Sequence, residues 1–198
     1  MRNLILATPL LALALMTMSF APMQPATSYK VNTNQSKLFW KAKKVTGSHE
    51  GTVNIKSGNL EVENGQLKGG YFEIDMTSIL VTDLSGDMKG SLEGHLKSED
   101  FFGTEKYPTA LLRITSVASR GVPGEYKVTA NATIKGKTKE IRFTAKMDEA
   151  AGVATADIEL DRTDFDIRYG SGSFFDNLGD KTIYDEFTIS VKLNLVKA

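Results

Sequence analysis

The chain of 198 residues carries 24 Lys and Arg, 24 Asp and Glu, 41% hydrophobic residues and no cysteine. With a short leader set aside, that is the length of one large domain of ordinary globular composition, which excludes a multidomain enzyme, a disordered chain and a polytopic membrane protein. Balanced charge provides no field for a phosphate backbone and argues against a nucleic-acid binder, and the missing thiols exclude disulfides, cysteine nucleophiles and thiolate metal sites.

Residues 1–28 read as a secretory signal peptide. Arg2 opens it, a stretch rich in Leu, Ala and Met follows, and small residues arrive at Ser19 and Ala21. The cleavage window runs from Ala21 to Ser28, leaving 29–198 as the exported domain. The alternative is an uncleaved leader that tethers the domain to the membrane, which Pro9, Thr17 and Ser19 weaken.

Beyond the leader, apolar and polar residues alternate in short runs. Strands are expected at 38–45, 52–56, 59–62 and 66–76. Leu84, Met88, Leu92 and Leu96 then recur every four residues, which suits one or two short helices despite Gly86, Gly90 and Gly94. Ser98, followed by Glu99, Asp100 and Phe101, reads as the cap of another helical turn. Strands resume at 109–118, 126–134, 141–147 and 153–160. After a Gly-, Asp- and aromatic-rich loop over 162–180, the period of two is clearest at Phe187, Ile189, Val191, Leu193 and Leu195. Asn64-Gly65, Pro123-Gly124, Lys135-Gly136 and Ala151-Gly152 supply tight turns, so neighbouring strands are antiparallel. The fold class is all-β with one or two short helices, as a sandwich or a closed barrel.

The apolar stripes mix bulky Trp40, Phe72, Phe143 and Phe187 with small Ala42, Ala130, Ala132, Ala145, Ala154 and Ala156. Two readings stand at this point: interdigitated side chains that fill the interior, or small positions that leave an apolar tunnel. The only histidines, His49 and His95, lack the spacing of a metal motif and suit loop-holding hydrogen bonds better than ligation or acid–base chemistry. Arg162 and Arg168 either receive an anionic head group through paired hydrogen bonds or neutralise Asp164 and Asp166. No Gly-x-Ser-x-Gly elbow, His-Glu-x-x-His sequence or phosphate-binding fingerprint is present. No catalytic residue, metal or cofactor is expected.

Ser48-His49-Glu50-Gly51-Thr52-Val53, the run from His95 to Phe102 followed by Glu105-Lys106-Tyr107-Pro108-Thr109-Ala110, the run from Ala132 to Lys139, and Arg162-Thr163-Asp164-Phe165 occur in one order along one domain. In that order they resemble the YceI-like family of bacterial polyisoprenoid-binding periplasmic proteins. The family often has Arg-Asp where this chain has Leu92-Glu93, and Gly where it has Asp166. The resemblance implies an antiparallel, eight-stranded lipocalin-like barrel in the periplasm that carries or sequesters an isoprenoid or other long-chain lipid without catalysis. Combined with strand parity, it implies an apolar wall of Trp40, Phe72, Ile74, Phe143, Phe187, Ile189 and Val191, and a mouth near His49, His95, Arg162, Phe165 and Arg168. Transient contact with a membrane or an envelope protein accompanies that reading. The alternative is an envelope interaction module with a filled barrel.

Overall fold

Alternating side chains extend through nine strands: β1 (Thr27–Val31), β2 (Lys37–Lys44), β3 (Gly47–Glu63), β4 (Gln66–Val81), β5 (Thr109–Ser119), β6 (Glu125–Ile134), β7 (Lys137–Asp148), β8 (Val153–Asp161) and β9 (Ile183–Lys197). Among the described residues one α-helix, α1 (Gly86–Lys97), is present, and it joins β4 to β5. The computed structural model describes residues 26–198, and the expected signal peptide lies outside them except for its last three positions.

All pairings between these strands are antiparallel. The order β3-β2-β9-β8-β7-β6-β5-β4 returns to β3 through a β3–β4 ladder, which closes the sheet. β1 and β2 share one place in this ring, because both lie between β3 and β9. Tyr29 faces Leu60 and Lys197, while Trp40 faces Gly51 and Ile189. The break between them is held by buried Ser36, whose Oγ donates to the Asn32 carbonyl (2.8 Å) and accepts from the Asn194 N–H (3.0 Å). The barrel is therefore eight strands round, as the family resemblance implies, and the sandwich left open by the strand pattern is not formed.

One end is closed by short turns over a dense layer in which Leu60, Val62, Leu67, Val128 and Leu193 are each at most 4% exposed. The other end carries α1 and residues 98–108 and 162–182. Around this end the wall is incomplete: the β7–β8 ladder stops at Thr144 and Asp157, although both strands continue beyond it. The 3₁₀ turn Arg162–Phe165 packs against β7 and β9, with Lys139 Nζ 3.1 Å from Asp164 Oδ1.

Three local expectations are corrected. The segments 52–56 and 59–62 are one strand, β3, with register shifts near Ser57 rather than a turn. Gly58 is required there by close approach, since a Cβ would lie 2.6 Å from Phe72 Cδ1. Ser98 begins no new helix. Its N–H donates to the carbonyls of Gly94 and His95 and its Oγ donates to His95, so it ends α1. Finally, Leu96 is buried under the helix, whereas Met88, four-residue spacing notwithstanding, is 67% exposed because α1 touches the barrel mainly through its last turns and β4.

Candidate functional site: an apolar barrel interior

Inside the ring is a cavity whose space open to the centre of a water-sized sphere is about 210 Å³, far above the ~10–15 Å³ that one water needs. The interior is hollow, so the filled-barrel alternative loses its premise. All seven residues expected in the wall, Trp40, Phe72, Ile74, Phe143, Phe187, Ile189 and Val191, line it. Ala42, Ala132, Ala145, Ala154 and Ala156 line it as well, whereas Ala130 is fully buried and does not. Ile74, Ile141, Phe143, Phe187, Ile189 and Val191 are only partly buried although they point inward, as expected when apolar surface faces a void instead of other side chains.

Trp40 owes its position to a glycine. Gly51 lies opposite it on β3, and a Cβ there would overlap the Leu80 carbonyl oxygen and come within 2.6 Å of Trp40 Cζ2. The indole therefore occupies space that any side chain at position 51 would take. Its Nε1 is buried without a hydrogen-bond partner.

Above the cavity, Leu96 of α1 and Phe101 and Phe102 beyond it line the upper wall. Their rings form a chain of edge contacts: Phe101 to Phe102 at 5.3 Å and Phe102 to Phe187 at 6.5 Å between centroids. Sequence reasoning placed Phe101 and Phe102 in a recurrent motif without assigning them to the site. Their apolar character was visible, but their position depends on how residues 98–108 fold back over the barrel.

Of the five expected mouth residues, Arg162 alone lines the cavity. It is 2% exposed. Nε donates to Tyr184 O (3.1 Å), Nη1 to Ile167 O (2.9 Å) and Tyr169 O (2.8 Å), and Nη2 to Ile183 O (3.0 Å). Nη2 also lies 3.1 Å from Asp185 Oδ1, and the guanidinium carbon is 5.7 Å from the Phe101 ring centroid. Burial lowers the guanidinium pKa from its ordinary value, while Asp185 and Asp161 oppose that shift. A guanidinium has five N–H donors, and here protein acceptors surround it. Arg162 thus ties the 162–169 segment to the start of β9, and an anionic head group would have to displace those partners to reach it.

The other four are placed separately. Phe165 is 1% exposed in the core. Arg168 pairs with Asp166 (2.9 Å) at the surface and stacks over Phe174. His95 lies edge-on to Phe101 and Tyr169, with Nε2 buried and unpartnered. His49 Nδ1 is 2.8 Å from Asp83 Oδ2, and Asp83 Oδ1 accepts from the Glu50 N–H, which links the top of β3 to the segment before α1. Among the described residues no group of three or more His, Cys, Asp or Glu converges as metal ligands would.

A family model described as "YceI-like domain" matches residues 29–195. The chain belongs to the YceI-like family. Curated relatives include a UPF0312 protein of Photorhabdus laumondii, 42% identical over 53 residues (27% of each chain), and Protein YceI of Escherichia coli O157:H7, 34% identical over 74 residues (37% of this chain, 38% of that one). The matched stretches thus span less than half the length of either. Among solved structures, BcnA of Burkholderia cenocepacia superposes with a TM-score of 0.66 at 22% identity, over 84% of this chain and 99% of that one. A polyisoprenoid binding domain from Saccharophagus degradans does so at 0.59 and 14%, over 86% and 98%. These two likenesses show the YceI-like barrel fold.

Two consequences of the mouth geometry are measurable. Replacing Arg162 with Met leaves its buried carbonyls and Asp185 unpaired and is expected to cost about 3–5 kcal/mol in urea unfolding; a loss below about 1 kcal/mol would contradict the hub. At Asp83, burial raises the carboxyl pKa, but the hydrogen bond from His49 and those from the backbone N–H groups of Glu50 and Asp83 outweigh it, so the net shift is downward. A lowered folded pKa stabilises the protein above the ordinary Asp value of about 4 and stops doing so as pH falls through the lowered value. The stability difference between parent and Asp83→Asn should therefore shrink on acidification, and a difference constant with pH would rule out the pairing.

Proposed function

We propose that this protein holds an isoprenoid or similar long-chain amphiphile in its barrel, without catalysis, for transport, storage or sequestration in the periplasm. The hollow interior with an apolar wall carries the reading. A void of this kind offers a tail an escape from water and offers a reacting group nothing to work with. Kinship with the YceI-like family and a fold shared with a polyisoprenoid binding domain support the same ligand class.

The energetics are adequate. Each buried methylene contributes ~0.8 kcal/mol, so about 15 of them give a gross gain near 12 kcal/mol. Association and ordering of a flexible tail cost several kcal/mol, which leaves about 8 kcal/mol, or micromolar affinity, with no ionic contact. Affinity then comes from the tail, in keeping with an Arg162 already engaged by its own chain. Export through residues 1–28 supplies the compartment. A cut upstream of Thr27 keeps the β1–β3 ladder whole, whereas a cut after Ser28 removes the pairings Thr27–Val62 and Ser28–Glu61.

Lipid extraction and mass spectrometry of protein purified from its native host test this reading: a stoichiometric long-chain lipid is expected. Ala145→Phe, which places a ring into the cavity, should abolish that recovery while the barrel stays folded, with unfolding midpoint unchanged or raised. Extracts free of long-chain lipid, together with no uptake of added isoprenoid alcohol by the parent protein, would overturn it.

A further inference from the structure

We propose that the α1 end of the barrel docks on a phospholipid bilayer through Tyr169, Phe174 and Phe175, so that a tail moves between membrane and cavity without crossing water. This rests on the lipid-holding reading above. The observation behind it is an asymmetry of exposed apolar surface. Tyr169, Phe174, Phe175, Tyr184 and Met88 are 50%, 45%, 51%, 48% and 67% exposed, and all lie at the α1 end. Among the described residues, the opposite end of the barrel exposes only Val122 and Val196 of its large hydrophobics. Tyr169 packs edge-on against His95, and His95 against Phe101 of the upper cavity wall, so this exposed ring stands one layer above the cavity.

These rings are held outward by a fixed support. Ser171, fully buried, donates its hydroxyl to Asp185 Oδ2 (3.0 Å), and Ser173 Oγ donates to the same atom (2.6 Å). The Ser171 carbonyl accepts from the N–H groups of Phe174 (3.2 Å) and Phe175 (3.0 Å), and Arg162 holds the Tyr169 carbonyl from below. A backbone anchored this firmly with its aromatics pointing into water keeps apolar surface that a solitary globular protein would cover.

Charge selects the partner. Over α1 and residues 98–108 and 162–182, six Lys and Arg stand against nine Asp and Glu, a net negative end that disfavours a polyanion or an anionic surface and leaves a zwitterionic head-group layer as the compatible partner. The Arg168 guanidinium lies 4.5 Å from the Phe174 ring centroid. That combination of an aromatic ring with a cation over its face suits the boundary between acyl chains and head groups.

The test uses the full exported domain, phosphatidylcholine vesicles and a fluorescent isoprenoid alcohol. The parent should sediment with the vesicles, with little dependence on salt, and should extract the alcohol from them. Phe174→Ser combined with Phe175→Ser should lower vesicle binding and the extraction rate at least about tenfold, yet bind the alcohol normally when it is delivered in dilute detergent. Val122→Ser combined with Val196→Ser should match the parent in every assay. Docking is overturned if the parent binds the detergent-delivered alcohol but ignores vesicles, if the Phe pair extracts as fast as the parent, or if both pairs fail alike. Vesicle binding that depends on the Phe pair, with no uptake of alcohol in detergent, would instead uphold docking and defeat the lipid-holding reading.

Discussion

The hydrogen-bonded ring of eight strands sets a diameter that its inner side chains do not fill. Each strand contributes alternate residues to the interior, and the closed circuit of ladders keeps opposite walls apart even though the β7–β8 ladder ends short of the α1 end. At the short-turn end bulky Leu60, Leu67 and Leu193 form the floor of the cavity. Higher in the ring Ala42, Ala132, Ala145 and Ala156 line it with side chains too short to reach across. An ordinary core would collapse onto such gaps; a closed sheet cannot without breaking backbone hydrogen bonds. The resulting void sacrifices dispersion contacts in the empty protein, and an apolar tail entering it restores them.

The ends of the ring follow different physics. The short-turn end is a conventional packed layer. The α1 end is organised by polar contacts around Arg162, which binds carbonyls from two separate segments, and by Asp185, which receives Ser171 and Ser173. Polar groups at this end therefore hold loops in place, which frees the aromatic side chains of those loops to line the cavity from above or to face outward. A guanidinium beside a cavity suggests an anion receptor, but the count of its donors and acceptors argues for an architectural role in this chain.

Much of the wall was legible in the sequence because strand parity is a local property: once Trp40 or Ile189 is placed on an inward face, every second residue follows. Whether the inward residues meet across the ring is not local, and alternating large and small side chains fit a packed core as well as a tunnel. The same limit explains the local corrections. The segments 52–56 and 59–62 read as separate strands because what places Gly58 between them, the Phe72 ring on β4, is a contact across the sheet. Ser98 resembled an N-cap because its hydroxyl can bond forward or backward, and only the end of α1 decides. Phe165 and Arg162 looked like mouth residues by motif, but their burial depends on how the 3₁₀ turn packs on β7 and β9.

Trp40 is the chain's one tryptophan and lies in the cavity wall, so its fluorescence reports directly on what occupies the interior. Titration with a long-chain isoprenoid brominated along its tail should quench that emission saturably, reaching its limit at one lipid per protein, while the unbrominated lipid binds without quenching. Emission left unquenched by a brominated lipid that is shown to be bound would place the tail elsewhere and contradict the barrel interior as the binding site.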